Sequence, residues 1–237
     1  MRDLELRNVA QPVEFRAAKN EDDSPGTLRG YAIVFNKYSQ NLGGFVEQVD
    51  PAAVRKSLAD RVPVVARGNH DDNQLLGTTE AETLRLGADD VGVWYEVDLP
   101  NTGAGRDHAV LAKRGDLRYS SFAFHTIDDE WGVTENDFPL RTLTSIHLID
   151  VAPVVSPAYR DSSVAMRSLA AAVHMDVDAV REAPVDEIRS RLNGEEVSDV
   201  EERSEDEQVE AGQGETHLAA ALLKRAEFEM NHPKINP

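Results

Sequence analysis

Hydrophobic and polar residues alternate along much of the chain up to about residue 160, and this period of two predicts β-strands. Turn residues such as glycine, proline and aspartate separate the alternating segments. The predicted strands lie in residues 26–35, 43–50, 62–70, 83–100 (two strands joined around 87–90), 115–125 and 138–159. Pro153 and Pro157 suit an edge or a bulge in the last of these.

The segment 115–125, GDLRYSSFAFH, predicts a strand with two unlike faces. Because neighbouring side chains of a strand point to opposite faces, one face is bulky (Ser120, Phe122 and Phe124) and the other is small or polar (Ser121, Ala123 and His125). An ordinary half-buried strand shows the same alternation, so this pattern alone assigns no function.

Helical patterns are fewer and shorter. Residues 51–60 predict a helix with Pro51 in its first turn, and residues 106–116 predict one that ends at Gly115. Residues 101–107, NTGAGRD, superficially resemble a phosphate-binding loop but lack its G-K-[ST] ending, so we interpret them as a flexible connection. Beyond residue 168 the pattern favours two short helices separated by Pro184.

Aromatic residues and charge divide the chain unevenly. Phe228 is the only aromatic residue after position 175, and residues 194–216 contain ten acidic residues and one arginine. Such a segment cannot bury enough apolar surface to offset its chain entropy. We therefore predict a folded domain over residues 12–168 and an acidic, partly helical or disordered tail over residues 169–237.

Composition excludes several classes of function. A formal net charge of -18 argues against nucleic-acid binding, which depends on contacts from Lys and Arg to phosphate. The absence of cysteine removes disulfides, thiolate metal sites and cysteine nucleophiles. Neither an apolar run long enough to span a membrane nor a secretory signal is apparent, so no membrane partner is expected.

Residues suited to catalysis fall at the ends or middles of predicted strands: His70 in the turn RGNHDDNQ, Ser121, and Asp150 inside the apolar segment LIDVAPV. A serine hydroxyl is a poor nucleophile unless a base takes its proton, and that base works best when a third group fixes its tautomer. Three consecutive residues, His70, Asp71 and Asp72, could instead ligate a metal, but adjacent residues rarely converge on one ion. We expect no metal and no cofactor. From the residues alone, the Ser-His-Asp trio is not distinguished from coincidence.

A family resemblance supplies the missing context. The segments GYAIVFNKYSQNLGGFVEQVDPAAVRKSL, GNHDDNQLLGT, LPNTGAGRDHAVLAKRGDLRYSSFAF and LRTLTSIHLIDVAPVVSPAY follow one another over about residues 28–165. In this order and spacing they resemble the tailed-phage prohead serine proteases. That family is related to the herpesvirus assembly proteases, so the resemblance implies a barrel-like β fold with surrounding helices.

The resemblance also implies roles for individual residues. His70 would be the base, and Ser121, the serine directly before the first phenylalanine, would be the nucleophile. It implies that the aromatic face packs inside while the small face leaves Ser121 open to a peptide. The third member is less settled, because the family usually has Glu and Ser where this chain has Asp150 and Ala152. The herpesvirus relatives use a second histidine, for which His147 competes; on a regular strand Asp150 and His147 face opposite ways, so both cannot serve.

The function implied is that of a phage serine endopeptidase acting inside the assembling procapsid, in the host cytoplasm. Its expected substrates are the scaffold and the major capsid protein, followed by the protease itself, and self-association is possible. The acidic tail would be an assembly segment or a self-cleaved one, or a solvated tail without a role. The alternative from another class is a non-catalytic assembly or scaffolding protein that retains the protease fold.

Overall fold

The computed structural model describes residues 4–18, 24–156 and 163–194. The strands are β1 (Glu5–Val9), β2 (Glu14–Ala17), β3 (Gly26–Val34), β4 (Val46–Val49), β5 (Val65–Arg67), β6 (Leu75–Thr78), β7 (Leu84–Ala88), β8 (Gly92–Asp98), β9 (Tyr119–Val133) and β10 (Pro139–Val154). The helices are α1 (Arg55–Ala59), α2 (Gly103–Arg114), α3 (Ser163–Ala172), α4 (Val177–Glu182) and α5 (Val185–Leu192), and a 3₁₀ turn spans Gly68–His70.

Hydrogen bonding divides the described strands into two sheets. The larger has the order β1-β9-β10-β5-β6, with β4 also paired to β10, and the smaller has the order β2-β3-β8-β7. The strand-rich α+β class is confirmed. The barrel-like arrangement is not: within the described residues no hydrogen-bonded ladder joins the two sheets, and no closed barrel is found.

The main core lies between the two sheets. Phe122 and Phe124 of β9 are 3% and 0% exposed, and they belong to one apolar cluster with residues of the smaller sheet such as Leu28 and Tyr95. The prediction that the aromatic face of the serine strand packs inside is therefore confirmed. The predicted hairpin is also present, with β7 and β8 antiparallel.

Strand β10 connects distant parts of the chain. It pairs antiparallel with β9 along most of its length, and parallel with β4 near Leu140 and with β5 near Asp150. Parallel partners must come from segments well separated in sequence. This strand is therefore where the turn after β5 and the serine strand meet.

Helix α2 corrects the interpretation of NTGAGRD as a flexible connection. Thr102 caps the helix by accepting a hydrogen bond from the Gly105 backbone N–H at 3.3 Å, and the helix begins at Gly103. Its C-terminus is as predicted, because Gly115 adopts φ 82°, a left-handed conformation that glycine tolerates without steric cost. The two short helices predicted around Pro184 are also present, as α4 and α5.

Helices α3 to α5 form a second apolar cluster. Leu169, Val180 and Ile188 are buried in it together with Phe45, and Trp131 packs against it. The predicted domain end at residue 168 falls inside α3, and a compact unit reaches Val197. The predicted start at residue 12 leaves out β1. The acidic segment 195–237 lies outside the described residues, and no described helix is long and apolar enough to cross a membrane.

Strand β1 is held to the larger sheet by a group of charged side chains, here called the β1 charge cluster: Glu5, Arg7, Glu47, Asp129 and Arg141. All of them are buried except Asp129, which is partly exposed. Arg7 contacts Glu5 and Glu47, each at 2.8 Å. Arg141 contacts the same two carboxylates at 2.8 and 2.9 Å. Each guanidinium thus bridges the same two acids, which offsets part of the cost of burying the charges.

Candidate active site

His70 ends the 3₁₀ turn that follows β5. Both Asn69 and His70 have left-handed backbones, with φ of 50° and 59°. Such conformations cost on the order of 1–3 kcal/mol in a residue other than glycine and persist only where the surrounding structure holds them. Here the backbone N–H of Gly68 donates to the carbonyl of Gln74, and the N–H of Asp71 donates back to the carbonyl of Gly68.

Gly68 lets this turn pack closely on α2. A Cβ atom at this position would lie 2.1 Å from Nε2 of His108, a buried histidine of α2. The glycine is therefore required by the close approach of the helix, and the helix in turn supports the turn that presents His70.

Asp150 lies next to this turn because β10 pairs with β5. Its Cα is in register with Val65 of β5 on one side and Ala123 of β9 on the other. The carboxylate is almost fully buried, and its Oδ1 lies 2.6 Å from Nδ1 of His70. This geometry requires Nδ1 to carry a proton, which leaves Nε2 as the acceptor in a neutral ring.

Ser121 completes the arrangement on β9. Its Oγ lies 2.6 Å from Nε2 of His70, so the imidazole bridges the hydroxyl and the carboxylate. The structure thus brings together all three residues that the sequence analysis selected, although residues 70, 121 and 150 lie far apart in the chain. Ser120 points the other way, with its Oγ 3.1 Å from the hydroxyl of buried Tyr95.

The expectation that Ser121 lies on an open face is wrong. The residue is only 2% exposed, because His70 covers it from one side and β1 runs beside it on the other, with Asn8 opposite Ser121 in the ladder. Its Oγ also lies 2.9 Å from the carbonyl oxygen of Arg7. The hydroxyl has one proton, so the Arg7 carbonyl competes with a neutral His70 for it.

A β-bulge changes the comparison between Asp150 and His147. The ladder pairs His147 with His125 and Asp150 with Ala123, and its register shifts between Leu148 and Asp150. Since His125, Ala123 and Ser121 alternate regularly on β9, both candidates lie on the same face as the serine, and not on opposite faces as a regular strand predicts. Of the two candidates, Asp150 contacts His70, whereas within the described residues no hydrogen bond joins His147 to His70. The His147 ring instead lies 6.3 Å from that of His125.

The residues of the metal alternative point to different partners. His70 contacts Asp150, Asp72 pairs with Arg67 at 3.0 Å, and Asp71 accepts hydrogen bonds from Asn73. The backbone and side-chain hydrogen bonds of Asn73 hold the pKa of Asp71 below its ordinary value. Over the described residues, no group of three or more His, Asp or Glu side chains is arranged to hold an ion.

Two groups at this site were not identified from the sequence. One is the backbone carbonyl of Arg7, which no pattern of side chains could reveal. The other is Arg67, whose Nη1 donates to Oδ2 of Asp150 at 3.1 Å. The available signal was an arginine ending an otherwise apolar strand directly before the histidine turn.

Comparison with known proteins adds a family and one structural likeness. The model of the caudovirus prohead serine protease family matches residues 11–176. Among solved structures, the capsid assembly protease of bacteriophage T4 is similar with 13% sequence identity and a TM-score of 0.47; the alignment covers 65% of this chain and 98% of the T4 chain. No curated protein matches the chain in sequence.

Proposed function

This chain belongs to the caudovirus prohead serine protease family, and we propose on that premise that it is a serine endopeptidase with Ser121, His70 and Asp150 as its catalytic residues. One observation carries the proposal: the His70 ring lies 2.6 Å from the Ser121 hydroxyl at one nitrogen and 2.6 Å from the Asp150 carboxylate at the other. This is the geometry that converts a weak hydroxyl nucleophile into an active one.

The mechanism follows from these contacts. Oγ of Ser121 attacks the peptide carbonyl carbon while Nε2 of His70 takes the hydroxyl proton. His70 then gives that proton to the departing amine, which leaves an acyl-enzyme. Water then attacks the acyl carbonyl carbon while Nε2 of His70 takes its proton, the ester bond to Oγ breaks, and His70 returns the proton to Ser121 as the carboxylic acid product leaves. Throughout, Asp150 holds the Nδ1–H tautomer and stabilises the imidazolium that forms.

For its substrates we propose the scaffold and the scaffolding portion of the major capsid protein, cleaved inside the assembling procapsid, followed by the protease's own tail. Family membership supports the capsid role. For the tail, the support is its composition, because ten acidic residues in 194–216 predict an exposed segment open to cleavage.

The burial of Ser121 is the observation that favours the alternative, a non-catalytic assembly protein with the same fold. A substrate must displace what covers the hydroxyl, including the contact to the Arg7 carbonyl. The short distances around His70 argue for catalysis, because the ring lies within hydrogen-bond reach of both the serine hydroxyl and the carboxylate, as an activated nucleophile requires.

Coexpression with the capsid and scaffold proteins of the same phage tests the proposal. Mass spectrometry should find cleaved products with the wild-type chain, and Ser121→Ala should reduce cleavage by about a thousand-fold or more. Ser120→Ala is the matched control, because its hydroxyl faces Tyr95, and it should retain most activity. In the Ser121→Ala protein the tail should persist at full length.

Three outcomes would contradict parts of this proposal. Processing that survives Ser121→Ala but not Ser120→Ala would reverse the assignment of the nucleophile. A tail lost equally from the inactive variant would point to host proteases and against self-cleavage. Inhibition by a chelator with recovery on adding zinc would support a metal-dependent reaction.

A further inference from the structure

Arg67 occupies an unusual position between a buried and an exposed carboxylate. Its Nη1 lies 3.1 Å from Oδ2 of Asp150 and 3.0 Å from Oδ1 of Asp72. The Asp150 side chain is 3% exposed and that of Asp72 is 82% exposed. An ion pair at an exposed side chain contributes little, whereas one with a buried carboxylate affects whether that carboxylate stays charged.

The sheet places the arginine there. β5 runs parallel to β10, with Val65 opposite Asp150 and Ala66 opposite Val151. Arg67 is two residues beyond Val65 and therefore extends from the same face of β5. The next three residues form the 3₁₀ turn, so the arginine and the histidine that contact Asp150 are separated by only Gly68 and Asn69.

The two oxygens of Asp150 are divided between these neighbours. Oδ1 faces Nδ1 of His70, and Oδ2 faces Nη1 of Arg67. With both oxygens engaged, the carboxylate cannot rotate without breaking a charge-assisted hydrogen bond. Without the arginine, Oδ2 would be buried with no described donor, and the carboxylate would then tend to rotate toward another partner.

We propose that Arg67 is a positioning residue for the proposed hydrolysis: it keeps the Asp150 carboxylate turned so that Oδ1 holds the His70 ring in the tautomer that can accept the serine proton. The inference rests on the proposed function. Arg67 acts through Asp150 and has no described contact with Ser121 or His70.

A pH dependence follows from the charges around the ring. Asp150 faces the His70 ring from β10, and Arg67 and Asp72 lie beyond that carboxylate. Asp71 is adjacent to His70 in the chain. Three further histidines lie farther away: His125 and His147 along the same face of the sheet, and His108 of α2 next to Gly68. The Arg67 cation opposes a second positive charge on the nearby imidazole. Removing it should therefore move the loss of activity on acidification to a higher pH.

The test uses the rate at which a fluorophosphonate probe labels Ser121, measured from pH 5 to 9, because this reaction needs no knowledge of the natural substrate. Three variants of the full chain are compared. Arg67→Gln removes the charge, Arg67→Lys keeps it, and Asp72→Asn removes only the exposed partner of the same nitrogen.

Arg67→Gln should lower the labelling rate near pH 6 by about 10- to 100-fold, the range known for outer hydrogen-bond partners of metal-bound histidines, with a smaller loss at pH 9. Arg67→Lys should restore most of the rate and the wild-type pH midpoint. Asp72→Asn should stay within about fivefold of wild type. A rate that falls by the same factor at every pH, or an Asp72→Asn variant that behaves like Arg67→Gln, would overturn the proposal.

NMR titration of the His70 ring separates this proposal from the proposed function. The ring should take up its proton at a higher pH in Arg67→Gln than in wild type, whether or not Ser121 reacts with the probe. If the wild-type chain is not labelled at all, the endopeptidase proposal fails while the ring titration still tests the arginine. If Arg67→Gln does not fold, the wild-type protein provides the test. The side-chain N–H signals of Arg67 should then shift with the same pH midpoint as the His70 ring, and a different midpoint would contradict the coupling of Arg67 to His70 through Asp150.

Discussion

Asp150 reaches His70 because of a single extra residue in β10. Without the bulge between Leu148 and Asp150, the carboxylate and His147 would lie on opposite faces of the sheet. With the bulge, both side chains lie on the same face as Ser121. Within the described residues, it is Asp150 and not His147 that contacts His70.

Asp150→Asn and His147→Ala test the third catalytic position. The amide of asparagine can accept from Nδ1 or donate to it, so it permits the wrong tautomer, and turnover should fall by up to about ten-thousand-fold. His147→Ala should be nearly silent. Rates are measured on one peptide, with circular dichroism to exclude unfolding. Full activity in Asp150→Asn combined with loss in His147→Ala would reverse the assignment, and activity in both would indicate a Ser-His dyad.

At this scale the sequence pointed to three side chains that the structure brings together, but not to how they are held. Ser121, His70 and Asp150 could be selected because the family resemblance gave a context to residues that pattern alone left indistinguishable from coincidence. The bulge could not be foreseen, since residues 148–154 are apolar on both faces apart from Asp150, so a shift in the phase of alternation leaves no mark there. Arg67 was missed because its importance depends on the pairing of β5 with β10, which only the fold reveals.

Strand β1 shows how a buried element can look exposed in sequence. Two of its five residues, Glu5 and Arg7, are charged, and this pattern is typical of a solvated segment. Both are buried, at 2% and 7% exposure, because the β1 charge cluster supplies partners from β4, β9 and β10. These partners are distant in sequence, so the strand fell outside the predicted domain.

Arg141→Met should strongly destabilise the fold. Removing this guanidinium leaves Glu5 and Glu47 buried with one cation between them, and breaking a buried ion pair in this way typically costs about 3–5 kcal/mol. Arg85→Met is the matched control: Arg85 also contacts two carboxylates, but it is 42% exposed, and its loss should cost about 1 kcal/mol or less. Urea unfolding measures both, and equal losses would contradict the view that burial decides the cost.

Glu5 makes the same cluster sensitive to acid. Burial by itself would raise the pKa of Glu5, but hydrogen bonding and charge from Arg141, with the charge of Arg7 and a hydrogen bond from Thr126, bring it below the ordinary value of 4.5. A carboxyl group with a lowered pKa in the folded state contributes stability that is present above its unfolded pKa and is lost as pH falls through the folded value.

The free energy of unfolding should therefore decrease as pH falls below about 4.5, and Glu5→Gln should show a shallower decrease over that window. Urea titrations at pH 7, 5, 4 and 3 provide the comparison. Glu14→Gln, on an exposed position of β2, is the control and should follow the wild-type slope. An unchanged slope in Glu5→Gln would mean that other carboxylates account for the acid sensitivity.

The packed part of the molecule extends beyond the limit suggested by its aromatic residues. Aromatic side chains end before residue 175 apart from Phe228, which placed the predicted boundary at 168. Helices α3 to α5 instead bury aliphatic side chains, among them Leu169, Val173 and Ile188, and their aromatic partners Phe45 and Trp131 come from earlier in the chain. A count of aromatic residues along the sequence cannot show that aliphatic residues of one segment pack against aromatic residues of an earlier one.

Truncation tests this boundary in the Ser121→Ala background, which removes the proposed self-cleavage from the comparison. A chain of residues 1–197 should keep the melting temperature of the full chain, because the contacts described for α3 to α5 involve residues no later than 194. A chain of residues 1–168 loses Leu169, Val173, Val180 and Ile188 from the core, each worth about 1.5–3 kcal/mol when buried. It should unfold or aggregate; a stable 1–168 protein would return the boundary to its predicted place.

The pairing of β10 with β4, β5 and β9 also has a consequence for the timing of synthesis. A ribosome delivers a chain N-terminus first, so the histidine turn and Ser121 emerge before the strand that carries Asp150. Until residues 139–154 are available, β4 and β5 lack the partner that holds them in the larger sheet, and His70 has no carboxylate to orient it. A nascent chain is therefore expected to be inert toward the host proteins around it, and hydrolytic capacity would arise only once nearly the whole folded unit has been made.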